Sequence, residues 1–129
     1  MRQTVTPYLL YEDAEAALAW LSKAFEFTEN DRIENPDGTV GHAEMDVGDG
    51  STIFLGSPGD GYQNPKSVGR TALVYVYVED VDEHCAQAKE AGAEILEEPA
   101  DQPYGDRRYA AEDPEGHVWY FATALLSEG

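Results

Sequence analysis

Two rhythms of apolar and polar residues run along this chain, and the order in which they follow one another occurs twice. An apolar run from Thr4 to Tyr11 leads into Glu12-Asp13, and then Ala14, Ala17, Leu18, Leu21, Ala24 and Phe25 keep helical spacing. This predicts a strand followed by an amphipathic helix. The run from Ala72 to Val78 leads likewise into Glu79-Asp80 and a helical segment carrying Val81, Cys85, Ala88 and Ala91, which stops at Gly92. Asp13 and Asp80 are the predicted N-caps, and Glu83, three residues after Asp80, completes a capping-box pattern.

Each helix is followed by three short strand-like stretches separated by turn pairs. These are Asp37-Gly38 and Asp49-Gly50 in the first copy, Gly105-Asp106 and Glu115-Gly116 in the second. The repeat unit is therefore β-α-β-β-β. The expected fold class is α+β, with two tandem modules forming a curved mixed sheet that has a concave ligand crevice. The expected organisation is a single domain over 1–129, with module one at about 1–57, a link at 58–69 and module two at 70–129. The stretch from Gly56 to Gly69, dense in Gly and Pro, reads as a surface connection. A helix covers one face of each sheet, so function is expected on the uncovered face.

Composition narrows the possible partners. Twenty-six acidic residues against 8 basic ones give a net charge of -18. Nucleic acid is not an expected partner, because phosphate binding needs clustered Lys and Arg. The acidity reads either as a solvated surface or as a field that attracts a cationic ligand. The single cysteine, Cys85, lies at an apolar helical position and suits a reducing cytoplasm. Neither a signal-peptide pattern nor an apolar stretch of membrane-spanning length occurs, so no membrane association is expected.

Alternation then sorts the strands. Val74, Val76 and Val78 share the face that suits a helix, which leaves Leu73, Tyr75 and Tyr77 on the other. The same parity adds Thr6, Tyr8, Phe54 and Tyr120 to an aromatic face suited to stacking on a planar ring or a cation. The competing reading is that these rings fill a barrel interior or a dimer seam. His42 and Glu44 alternate together on their strand and form a polar corner, read either as an acid-base pair or as a solvated face. Tyr104, Arg107 and Tyr109 complete the candidate ligand-binding set, with Arg107 as a partner for a ligand carboxylate. Arg108 is assigned to a salt bridge, and His84 and His117 to structural or surface roles. No nucleophile motif or phosphate-cradling loop is present, so no catalytic residue is assigned.

The paired modules resemble the vicinal oxygen chelate family, which includes glyoxalases, bleomycin-resistance proteins and dioxygenases. The resemblance rests on Tyr104-Gly105-Asp106-Arg107, on Asp113-Pro114-Glu115-Gly116-His117 with Trp119, on Pro7-Tyr8-Leu9 through Asp13-Ala14, and on Gly41-His42-Ala43-Glu44. It implies a homodimer. It also implies four metal-ligand positions, which in this chain carry Thr6, Phe54, Leu73 and Tyr120, none of them a good ligand for a divalent ion. The expectation is a protein without metal or other cofactor that sequesters a small aromatic molecule, cationic antibiotics included. The alternative is a glyoxalase-type enzyme with a relocated metal site built from His42, Glu44 and His117. A third reading is an interaction protein with a vestigial pocket.

Overall fold

Both long helices form where their predicted caps stand in the computed structural model, which describes residues 3–125. Asp13 accepts the backbone N–H of Ala16 at the start of α1 (Ala14–Phe25), and Asp80 accepts that of Glu83 at the start of α3 (Val81–Glu90). Each cap satisfies one of the helix's orphan amides. Strands β1 (Tyr8–Leu10), β2 (Thr28–Glu34), β3 (Val40–Gly48) and β4 (Ser51–Gly56) form one sheet in the order β1-β4-β3-β2. Strands β5 (Leu73–Tyr77), β6 (Glu94–Asp101), β7 (Asp106–Glu112) and β8 (Val118–Ala124) form another in the equivalent order β5-β8-β7-β6. The α+β tandem repeat is as expected, with its strands divided between two four-stranded mixed sheets.

The helix-bearing faces of both sheets share one core. The apolar stripe of α1, from Ala14 to Phe25, is buried throughout, with Leu21 fully inaccessible. Phe25 lies 4.7 Å from Phe121, and Phe27 lies 5.3 Å from Trp119, both measured between ring centroids, so aromatic packing crosses from the first half of the chain to the second. Each such side chain contributes about 1.5–3 kcal/mol by leaving water. Because both helical layers point inward, the uncovered sheet faces lie on the outside.

Polar contacts fix how the halves meet. Asp113, 1% exposed, accepts the Tyr11 hydroxyl (2.6 Å) and the Trp119 indole N–H (3.1 Å) on Oδ2, and the amides of Glu115 and His117 on Oδ1. The Glu115 carboxylate takes the amides of Glu12 and Asp13 at 2.6 and 2.9 Å, drawing the β7–β8 turn onto the start of α1. His84 Nε2 bonds the Phe25 carbonyl (3.1 Å) and Nδ1 faces the Tyr109 hydroxyl (2.7 Å). A carbonyl only accepts, so neutral His84 carries its proton on Nε2 and Nδ1 accepts from Tyr109.

The connection is more ordered than its composition implies. A short helix, α2 (Pro65–Val68), is capped by Asn64, the Lys66 amide donates to the Glu115 carbonyl (3.2 Å), and the Tyr62 hydroxyl donates to the Leu10 carbonyl (2.8 Å). At Gly116, φ is +96°, and a Cβ would stand 2.5 Å from the Lys66 amide nitrogen, so only glycine fits there.

Candidate functional site

The uncovered face of the second sheet carries most of the chemistry. Tyr75 pairs with Tyr120 across the parallel β5–β8 ladder, and their rings are nearly parallel (13°) with centroids 6.1 Å apart. The hydroxyls of Tyr75 and Tyr77 both donate to Asp106 Oδ2, at 2.7 and 2.8 Å, and the Tyr104 hydroxyl lies 3.3 Å from that of Tyr75. Burial, then hydrogen bonding to Tyr104 and Asp106, pushes the Tyr75 phenol far above its ordinary range. The Tyr77 phenol is raised chiefly by its bond to Asp106. Both rings are therefore neutral donors at physiological pH. Tyr77 and Tyr104 remain about 60% exposed, at 61% and 59%.

Arg108, not Arg107, belongs to this face. Arg108 pairs with Ala122, whose other neighbour is Tyr77, so the three share a face. Its guanidinium lies 4.7 Å over the Tyr120 ring and donates to the Tyr104 hydroxyl at 2.7 Å. Arg107 points to the helix side, where it holds Asp82 and Asp101 at 3.0 Å each. The two arginines stand on opposite faces, since adjacent residues on a strand point opposite ways, and Arg108 also makes its expected ion pair, with Glu97 at 3.5 Å. Tyr109 also leaves the candidate set: it is 0% exposed, and burial raises its phenol far above the ordinary range. It shares the parity of Arg107 and lies beneath α3 against His84.

On the first sheet, Tyr8, Phe54 and Glu44 are cross-strand neighbours. His42 joins them, with Nδ1 3.1 Å from the Tyr8 hydroxyl, Nε2 3.5 Å from Glu44, and its ring edge-on to Phe54 at 4.7 Å. His117 is held elsewhere, against the Leu10 carbonyl and the Tyr11 ring. Among the described residues no group of three or more His, Cys, Asp or Glu side chains is placed to hold a metal ion. Phe54 is packed between Tyr8 and His42, Leu73 has no donor, and the Tyr120 hydroxyl donates to Glu97 at 3.1 Å. These side chains do not fit the metal of the metal-dependent relatives.

Asp106 and Glu97 do not stand out in the sequence as members of this cluster, and Arg108 is read there only as a salt-bridge former. The alternation of β7, with Tyr109 and Ala111 on one side and Arg108 and Ala110 on the other, held the signal for Arg108. Glu97 had none, because β6 shifts register on both sides of it. A groove of about 980 Å³ runs from Tyr77 between the β3–β4 turn and α3, lined by Glu26, Asp49, Glu79, Glu83 and Glu90 among others.

The chain belongs to the Glyoxalase/Bleomycin resistance protein/Dioxygenase superfamily, whose model matches residues 4–121. An uncharacterised protein of Mycobacterium tuberculosis is 34% identical over 121 residues, covering 89% of this chain and 71% of its own length. The crystal structure of TioX from Micromonospora sp. ML1 is similar with a TM-score of 0.75 and 32% identity, covering 98% of this chain and all of that one. A glyoxalase-related enzyme from Clostridium phytofermentans, at 13% identity and TM-score 0.76 over 97% of both chains, has the same fold. No described helix is long and apolar enough to cross a membrane.

Proposed function

We propose that this chain binds and sequesters a small aromatic molecule on its uncovered sheet faces, in the manner of a drug-binding rather than a catalytic member of its superfamily. One observation carries the reading. Tyr75, Tyr77, Tyr104 and Tyr120 gather around Asp106 and Arg108, giving flat apolar walls edged by oriented polar groups. Thr6, Phe54, Leu73 and Tyr120 at the superfamily's ligand positions support binding over metal-assisted turnover. Aromatic peptide antibiotics are the ligand class that the family implies, and the net charge of -18 favours the approach of their cationic members. Leu10, Ile33 and Leu73, exposed apolar residues of the two faces, support a homodimer in which a second copy covers that part of them. A lone, buried cysteine, Cys85, suits a cytoplasmic protein.

The test is thermal stability of the purified protein against a panel of planar aromatic antibiotics, alongside elemental analysis for bound metal. A ligand at a hundredfold its Kd stabilises by about 2.7 kcal/mol. Stabilisation by an aromatic compound that is lost in Tyr75→Ala or Tyr77→Ala supports the proposal. Stoichiometric divalent metal that depends on His42 and Glu44 overturns it.

A further inference from the structure

The uncovered face of the second sheet holds a cation that the acidic chain leaves poorly neutralised. Arg32 is paired with Glu29 at 2.7 Å and Glu15 at 3.1 Å, and Arg107 with Asp82 and Asp101 at 3.0 Å each. Arg108 has only Glu97, at 3.5 Å, which is long for a charge-assisted bond. Its Nε is closed off from solvent and bonded to nothing, the single such buried side-chain atom among the described residues. A buried donor left unpaired is costly, and native structures keep one where something else is served. Stacking on Tyr120 holds the guanidinium plane, and the exposed rings of Tyr77 and Tyr104 stand close by in this cluster.

We propose that Arg108 is the anchor for a carboxylate on an aromatic ligand, with the Tyr104 hydroxyl as second donor and the ligand ring lying against the exposed tyrosines. The proposal rests on the binding function above and names the acidic group by which that ligand is held. With Nε closed off, a planar carboxylate is engaged through the N–H groups of Nη1 and Nη2, and a stacked guanidinium is already oriented for it. Glu97 is the local competitor. Its Oε1 faces Arg108 and its Oε2 takes the Tyr120 hydroxyl, yet it stays half-exposed between two register shifts of β6. Asp106 is the other acid of the cluster, and its Oδ2 is already taken up by the hydroxyls of Tyr75 and Tyr77; acids further than about 8 Å oppose an anion weakly, because they are screened at physiological salt.

The probes are 2-naphthoate, its uncharged amide 2-naphthamide and the cation 2-naphthylmethylammonium, titrated by fluorescence into the full chain and two variants. The expected result is naphthoate binding about tenfold tighter than the amide, a difference of about 1.4 kcal/mol. Arg108→Gln abolishes that preference, whereas Glu97→Gln strengthens it by removing the competing carboxylate. Circular dichroism establishes that both variants fold, and the opposite signs separate anchoring from a general loss of structure. Amide or ammonium binding as tight as naphthoate, and unchanged in Arg108→Gln, overturns the carboxylate anchor while leaving aromatic binding in place. Binding of none of the three probes at millimolar concentration overturns both the anchor and the aromatic-binding reading of this face.

Discussion

Replacing Asp113 with alanine is expected to weaken the protein more than any substitution on the uncovered faces. The carboxylate is 1% exposed and receives four donors, namely the Tyr11 hydroxyl, the Trp119 indole and the amides of Glu115 and His117. Alanine strands the first two inside the core, and each unsatisfied buried donor costs about 1–3 kcal/mol. The turn amides are nearer solvent and find water, so they add less. Relief from burying a carboxylate offsets part of the loss, which leaves about 3–5 kcal/mol. For a chain of this size, that lowers the melting temperature by roughly 10–20 °C. Urea unfolding at neutral pH measures it, with an unchanged slope confirming that the variant unfolds as the parent does. Tyr11→Phe removes one of the two core donors and is expected to cost about 1–2 kcal/mol. The two changes touch one network, so their effects should fall short of additivity by more than about 0.5 kcal/mol. An Asp113→Ala protein within about 1 kcal/mol of the parent would refute the reasoning, because four bonds to a buried charge cannot all be so weak.

Three further outcomes follow from particular contacts. Burial lowers the pKa of His84 below its ordinary value of 6.5, so the unfolded chain binds a proton that the native state resists. Its contribution to stability is complete above about pH 6.5 and is lost as pH falls through the lowered value; a pH series comparing the parent with His84→Gln should show the two curves converging toward acid. Gly116→Ala places a Cβ 2.5 Å from the Lys66 amide at a φ of +96°, and is expected to cost about 2 kcal/mol or more by thermal unfolding; a neutral effect would mean that α2 does not dock on this turn. Arg107→Ala breaks two exposed ion pairs, so it should change stability by less than about 1 kcal/mol and leave aromatic binding intact. Loss of binding in that variant would restore Arg107 to the site in place of Arg108.

Local chemistry wrote most of the secondary structure into the sequence. The caps at Asp13 and Asp80 and the stripe from Ala14 to Phe25 depend on neighbours within a few residues, so they can be read without knowing the fold. Strand parity is equally local, and it placed Tyr75 and Tyr77 on the uncovered face. The same alternation along β7 puts Arg107 and Tyr109 on the helix side and Arg108 on the uncovered face. The motif Asp113-Pro114-Glu115-Gly116-His117 was visible as a resemblance, but its work was not. Its carboxylates serve Tyr11, Glu12 and Asp13, about a hundred residues earlier in the chain, and no short-range pattern specifies such a partner.

The sequence by itself therefore determined the repeat, the elements and the faces of individual strands, because each follows from backbone geometry and the spacing of apolar residues. Only the tertiary structure decided that the two helical layers meet in one core, that the strands divide into two sheets, and that Asp106, Arg108 and Glu97 converge on the tyrosines. Those outcomes depend on side chains brought together from distant strands across bulged registers, where the energy of a contact belongs to the pair and not to either stretch of sequence.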